Sequence, residues 1–321
     1  MGPADGMPAD TLVSIIIPVY NRAHLVGRAI ASVMAQSYQN FEIIVVDDAS
    51  TDALPAALAA FPDPRLRLIA HETNQGAAGA RNTGMAAANG EFIAFLDSDD
   101  MWFAGKLAHQ VTAMRGQPAE IAGHVCAYEC VKTGYPARHI LPRWTARTFR
   151  RRLWFGCSCG PGTTLLFRRA LFTEIGPLDR ELRRLEDWDW LLRLAAAGYR
   201  LLASPAVLAR VYAEANAARR DVDPALARIQ QRHLASAALD GVLSRRIFEG
   251  TLLLESAAAA FADKDYRHAA TATLRSVVRY PLRGAGFYWR MIERAAGSAG
   301  RLMSRSQPQS SARLGTAFKP H

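Results

Sequence analysis

The first hundred residues alternate short, almost wholly apolar runs with longer stretches whose apolar positions recur at helical spacing. LVSIIIPVY, residues 12–20, is β-branched and is closed by Asn21, which predicts a strand buried on both faces. In the following RAHLVGRAIASVMAQS, Leu25, Ala29, Ile30, Val33 and Met34 fall at helical spacing. FEIIVVDDAS reads as a second buried strand ending in acids, RLRLIAH as a third that alternation leaves half exposed, and EFIAFL as a fourth. Before the fourth, GAAGARNTGMAAANG combines small residues with a closing glycine, as in a helix packed tightly on a sheet.

Beyond about residue 120 the alternation loosens. IAGHVCAYEC and GTTLLFRR read as strands, LEDWDWLLRLAAAG as an amphipathic helix stopped by Gly198, and YRLLASPAVLARVY as a strand pair broken near Pro205. From about residue 222 the pattern is helical and rich in alanine, and the final SRSQPQSSARLGTAFKPH is polar and basic, the composition of a disordered tail. Strands alternating with helices imply βαβ units and a mainly parallel sheet, in which ligands collect beyond the carboxyl ends of the strands. Here those ends read PVYN, DDAS and DSDD, so three polar clusters are expected along one edge.

Charge refines this picture. The chain of 321 residues carries a formal charge of +10, unevenly spread. Residues 131–184 hold 12 Lys/Arg against 3 Asp/Glu, and residues 275–319 hold 9 against 1, so the rest of the chain is acidic. An acidic half with two basic stretches suggests a cationic ligand for the first and anionic partners for the second, against the plain alternative of solvated basic faces. No long uncharged apolar run and no basic-then-apolar leader is evident, which sets the expectation of a cytoplasmic protein. Cys126, Cys130, Cys157 and Cys159 match no common zinc spacing and are expected to be thiols.

FIAFLDSDD gathers three aspartates where a buried strand ends, and such clustering is unfavourable unless a cation sits there. Asp97 and Asp99 can point the same way on an extended segment, and carboxylates so placed suit Mg2+ or Mn2+ shared with phosphates. Taken in order and at their separations, VSIIIPVYNR, EIIVVDDAST, NQGAAGARNTGMAAANGEFIAFLDSDD and LEDWDWLLRL resemble the inverting family 2 glycosyltransferases over residues 11–215.

That resemblance implies a GT-A nucleotide-diphospho-sugar transferase fold, a mainly parallel sheet flanked by helices. It also implies a nucleotide-sugar donor and a divalent metal cofactor. By similarity, Pro18, Tyr20 and Asn21 border the nucleotide, and Asp48 accepts a hydrogen bond from the base, which favours a uracil-type donor. Arg81 faces the nucleotide side of the cleft, Asp97 with the adjacent Ser98 holds the ribose or a metal-bound water, and Asp99 ligates the metal. The aspartate of the Glu186–Asp187 pair removes the acceptor proton. From its position alone that pair also reads as favourable charge at a helix N-terminus. One of Trp188 and Trp190 is expected in the core and the other against a sugar, with Asp189 a surface or cap residue. Relatives carry a histidine or basic residue after the last strand; this chain reads RVYAEANAAR, which leaves Arg210 for that role.

The expected organisation is a tail at 1–10, the transferase domain at 11–215, a helical appendage at 216–300 and a basic tail at 301–321. Arg143, Arg147, Arg150, Arg151 and Arg152 are expected to rim the acceptor side of the cleft. Arg275, Arg279, Arg283, Arg290 and Arg294, interleaved with Phe287, Tyr288, Trp289, Met291 and Ile292, describe a surface that rests on the inner face of an anionic membrane. A glycan or lipid-linked glycan is the acceptor consistent with that surface. Three rival readings are weaker. A nucleotidyltransferase usually shows a glycine-rich phosphate loop after the first strand, and a dinucleotide-binding dehydrogenase requires its glycine fingerprint there. No nucleic-acid module accompanies the basic charge, so no nucleic-acid partner is expected.

Overall fold

A computed structural model describes residues 11–157, 162–213, 219–236 and 238–281. A nine-stranded sheet runs in the order β3-β2-β1-β4-β8-β6-β9-β5, with β7 paired to β6. The strands are β1 (Val13–Val19), β2 (Phe41–Asp47), β3 (Leu66–Ala70), β4 (Phe92–Phe95), β5 (Met101–Trp102), β6 (Ile121–Val131), β7 (Arg138–Ile140), β8 (Leu165–Arg168) and β9 (Arg200–Tyr212). The helices up to residue 200 are α1 (Ala23–Met34), α2 (Leu54–Leu58), α3 (Gly76–Ala87), α4 (Lys106–Met114), α5 (Phe149–Leu153), α6 (Ala170–Glu174) and α7 (Glu186–Ala196). Three more follow: α8 (Arg219–His233), α9 (Val242–Ala262) and α10 (Tyr266–Arg279).

The half built from β1 to β4 is parallel, as the βαβ pattern dictates, and β8 joins β4 antiparallel to open a mixed second half. The apolar runs of β1 and β2 fill the core: Val13, Ile15, Ile17, Ile43 and Val45 are all fully buried. Small residues bring α3 down onto the sheet. A Cβ on Gly84 would lie 2.4 Å from Ile16 Cγ2, a separation no side chain tolerates. Pro18 is accepted near the middle of a sheet because β4 pairs with β1 only as far as Ile16, so the missing N–H falls where the sheet has already opened.

The expected break near Pro205 is instead a bulge within a single strand, β9. Cys126 pairs with Ser204 and Ala127 with Val207, so Pro205 and Ala206 are the extra residues, and the Ala206 N–H is taken by Ser204 Oγ at 3.1 Å. The helical region joins the transferase core, and the residues up to Arg279 form one compact unit. Trp154 Nε1 donates to Ala238 O at 2.8 Å, Thr251 Oγ1 to Trp154 O at 2.7 Å, and the Trp188 ring packs 5.4 Å from Phe248. Residues 282–321, with the arginine and aromatic positions from Arg283 onward, and residues 1–10 lie outside the described residues, as do Cys159 and residues 214–218.

Lys106 is fully buried, donating to Gln110 Oε1 at 2.7 Å and standing 3.9 Å over the Trp102 ring. Burial pushes its pKa down from 10.5 to about 8. The folded state therefore binds fewer protons than the unfolded chain between those two values, and stability rises with pH across that window. In urea unfolding, the wild type is expected to gain about 3 kcal/mol relative to Lys106→Met on going from pH 7 to pH 11. A stability difference independent of pH would mean that Lys106 does not carry a costly buried charge.

Candidate functional site

The carboxyl ends of β1, β2 and β4 converge with the start of α7. β1 ends in Tyr20, 49% exposed beyond the sheet, and in Asn21 at φ +51°, a left-handed turn that asparagine tolerates. Asn21 Oδ1 accepts from Thr51 N at 2.8 Å while its own N–H donates to Ser50 Oγ at 3.0 Å, joining the first two polar clusters. Asp52 receives the Ala23 N–H at 2.8 Å and so supplies from another loop the cap that the start of α1 lacks in its own sequence.

Asp48 is buried at 3% exposure, and its carboxylate accepts from His71 Nδ1, Gln75 N and Gly76 N, each at 2.8 Å. Three of a carboxylate's roughly four acceptor positions are thus taken. Asp48 works as an N-terminal cap for α3, distant in sequence, and keeps one acceptor position beyond that role.

β4 ends at Phe95, and the aspartates after it lie on a turn in which the Asp100 N–H donates to Asp97 O at 3.0 Å, so the segment is not extended as expected. Asp97 and Asp99 are partly exposed, whereas Ser98 between them is buried at 5% exposure, which corrects its expected contact with the nucleotide. Asp100 faces inward. It accepts from Thr163 Oγ1 at 2.5 Å and Tyr212 N at 3.0 Å, pinning the site to the turn before β8 and to the end of β9. Burial, with Asp97 next to it, pushes its pKa up to about 8. Burial and then the Asp97 charge raise Asp99 as well, while Arg22 works against both.

Arg81 joins the two acidic motifs. From α3 its Nη2 donates to Asp97 Oδ1 at 2.7 Å and its Nη1 to Glu186 Oε1 at 2.6 Å. Its side chain is 90% buried, so this is no surface ion pair. Burial opposes its charge, but Asp97 and Glu186 together hold its pKa above the ordinary arginine value. Glu186 and Asp187 open α7 after Leu185, which sits at φ +64°. Burial raises the pKa of both acids; Arg81 counters it in each, and at Asp187 the Trp188 N–H and the Cys157 thiol counter it too.

Two cations escaped sequence reasoning. Arg22 pairs with Asp99 Oδ2, and Arg28 donates to the Asp99 backbone carbonyl while its guanidinium lies 3.8 Å over the Tyr212 ring. Arg22 directly precedes α1 and Arg28 sits in its otherwise ordinary amphipathic pattern. Arg210, by contrast, pairs with Glu129 and lies over Phe103, so its guanidinium is already engaged there. Both tryptophans are core residues. Trp188 Nε1 donates to Leu153 O at 3.0 Å, and Trp190 stacks 4.7 Å from Phe172 and donates to Gly176 O. Asp189 is fully buried, against the surface position expected of it. Of the basic residues before the pair, Arg143, Arg147, Arg150 and Arg151 are exposed, and Arg150 pairs with Asp240.

Among the described residues no group of three or more His, Cys, Asp or Glu side chains converges on one point. Asp97 and Asp99 offer two hard carboxylates, each now met by a guanidinium. That set fits Mg2+ or Mn2+ drawing its remaining oxygens from a diphosphate and water, and does not fit a cation caged by protein alone. Cys126 is buried, and Cys126, Cys130 and Cys157 are outside any disulfide.

Residues 14–176 match the model of glycosyl transferase family 2. The chain belongs to that family. It is 50% identical over 105 residues to the Escherichia coli UDP-Glc:alpha-D-GlcNAc-diphosphoundecaprenol beta-1,3-glucosyltransferase WfgD, a match covering 33% of this chain and 42% of that protein. Over 194 residues, 59% of this chain and 67% of the relative, it is 31% identical to the Escherichia coli K12 putative colanic acid biosynthesis glycosyl transferase WcaA. Staphylococcus aureus TarS 1–349 in complex with UDP-GlcNAc superposes with a TM-score of 0.63 at 20% identity, covering 83% of this chain and 79% of that one. The chain thus has the GT-A transferase fold with added C-terminal helices, and it is a family 2 glycosyltransferase. The match to WfgD spans about two fifths of that relative's length.

Proposed function

We propose that this glycosyltransferase moves a sugar, with inversion, from a UDP-sugar to a hydroxyl of a lipid-diphosphate-linked glycan. The observation that carries the reading is the Arg81 bridge. It fixes the metal-type carboxylate of β4 and the acid pair of α7 against each other within two hydrogen bonds. The donor diphosphate is then held on one side of the reacting carbon and the acceptor hydroxyl on the other, the arrangement that a single in-line displacement needs.

Asp187 takes the proton of the attacking hydroxyl. Burial keeps its carboxylate more basic than an aspartate in water, and the Trp188 N–H, at 2.7 Å from Oδ1, holds its orientation. Glu186 is committed to Arg81 and so serves to place the bridge. Asp97 and Asp99 would hold a divalent cation, which when bound supplies positive charge to the leaving diphosphate. Arg22 must give up Asp99 for this to happen, and its guanidinium can then turn to a phosphate.

Two findings support the substrates. WfgD uses UDP-Glc and a diphosphoundecaprenol-linked GlcNAc, and TarS binds UDP-GlcNAc. Among the described residues no helix is long and apolar enough to cross a membrane. Contact with a lipid-linked acceptor then falls to surfaces such as that of α10, where Leu274 and Val278 are 65% and 76% exposed beside Arg275 and Arg279. The test is a panel of nucleotide sugars scored by thermal shift, followed by turnover with a GlcNAc-diphospho-lipid in anionic and in neutral vesicles. A UDP-sugar is expected to raise the melting temperature, and turnover is expected to be faster on anionic vesicles at low salt. Stabilisation by a GDP-sugar alone would overturn the donor, and equal turnover with a water-soluble acceptor would overturn the lipid.

A further inference from the structure

Asp189 follows the base by two residues, about 200° around α7, so the helix turns Asp187 to the cleft and Asp189 to its back. There Asp189 is fully buried and carries three donors. Oδ1 accepts from Arg232 Nη1 and from His233 Nε2, both at 2.8 Å, and Oδ2 from Arg193 Nε at 3.0 Å. Arg232 does more than pair with the helix. Its Nη2 also reaches Asp179 Oδ2 at 2.6 Å, and Arg228 Nε meets the same oxygen at 2.6 Å. Asp179 lies in the segment that leads into α7. That segment is bound to the donor-side wall by two hydrogen bonds between Asn82 and Leu178, at 2.8 and 2.9 Å, and by Arg180 to Gln75 at 2.5 Å.

Leu191, Leu192 and Leu194, with the buried rings of Trp188 and Trp190 bonded to Leu153 O and Gly176 O, seat the body of α7. The satisfied network of buried charges adds a directional anchor at its first turn. Arg81 grips the first residue of α7 from the cleft, and the last turn of α8 grips both the approach segment and the first turn from behind. We propose that Arg232 and His233 are positioning residues for sugar transfer, setting through Asp179 and Asp189 the angle at which α7 presents its acid pair. This rests on the reading of Asp187 as the base. It makes the C-terminal helices part of the working geometry of the site.

The test uses the full chain. Arg232→Ala is expected to lower kcat about tenfold to hundredfold while the UDP-sugar dissociation constant stays within about twofold, because only the base side is displaced. Arg232→Lys should recover only part of the loss, since one ammonium cannot span both carboxylates. His233→Gln keeps a donor at a similar reach and should hold near wild-type kcat, where His233→Leu should not. Ser276→Ala removes the Ser276 Oγ to Gly250 O bond of 2.7 Å within the helical region and leaves α7 untouched. Its kcat should not change.

Amide exchange over residues 185–190 supplies a readout that needs no turnover, and Arg232→Ala should speed it there and not in α1. Unchanged exchange at 185–190 in Arg232→Ala, or an equal loss of kcat in Ser276→Ala at matched melting temperature, would overturn the proposal. Turnover retained by Asp187→Asn would instead sink the base reading and leave the exchange result standing. Should Arg232→Ala not fold, the contrast of His233→Gln with His233→Leu in kcat and exchange decides the matter alone.

Discussion

Asp187→Asn is expected to lower sugar transfer by about a thousandfold or more, within the range that loss of a general base produces, while donor affinity changes by less than about twofold. The amide keeps the size of the carboxylate and can still accept the Trp188 N–H, so the start of α7 should hold its place. What disappears is the capacity to receive a proton. The neighbours explain why Asp187 and not Glu186 carries this load. Glu186 gives one oxygen to Arg81 at 2.6 Å, whereas Asp187 meets Arg81 only at longer range. With its pKa raised chiefly by burial, Asp187 should produce an acid limb in the pH profile of kcat that lies above the usual aspartate range. Asp187→Asn should remove that limb together with the activity. Near wild-type turnover in Asp187→Asn would pass the role to Glu186.

The four N-terminal strands and the convergence of their carboxyl ends were legible because period-two burial and βαβ alternation are local properties of the chain. Asp97, Asp99, Glu186 and Asp187 were legible as motifs. Their mutual geometry was not, since it depends on Arg81 pairing with both Asp97 and Glu186, whereas the resemblance places Arg81 only on the nucleotide side of the cleft. The capping role of Asp48 was hidden for the same reason: its partners Gln75 and Gly76 lie 27 and 28 residues away, and a cap supplied across that distance leaves no spacing signal. The burial of Asp189 and of the second tryptophan was not legible, because their partners are distant in sequence or on other elements: Phe248 of α9 for Trp188, His233 of α8 for Asp189, and Phe167 of β8 with Phe172 of α6 for Trp190. Arg22 and Arg28 were invisible because their target, Asp99, is more than seventy residues downstream.

Arg81→Ala should produce the largest combined loss, in stability and in turnover. The wild-type guanidinium holds Asp97 and Glu186 at 2.7 and 2.6 Å in a site where the arginine side chain is itself 90% buried. Removing one member of a buried ion pair typically costs about 3–5 kcal/mol, because the partners keep their desolvation penalty and lose the charge that offset it. Here two carboxylates are stranded, with Asp187 close behind them. Binding a proton relieves the strain, and the loss of Arg81 lifts the pKa of Glu186 further above the ordinary value from which burial already raises it. A group with a raised folded pKa contributes its stability in full below the unfolded value and loses it as pH rises through the folded value. The deficit of Arg81→Ala against wild type should therefore be small near pH 4 and grow toward pH 8 in urea unfolding. Arg81→Lys restores the net charge but not the fork, so it should recover much of the stability and little of the turnover, because a single ammonium cannot hold β4 and α7 at one fixed spacing. If Arg81→Ala unfolded with a deficit below about 1 kcal/mol at every pH, the bridge would not be the buried junction described here. If Arg81→Lys kept full turnover, charge alone would suffice and the two-point geometry would carry no part of the catalysis.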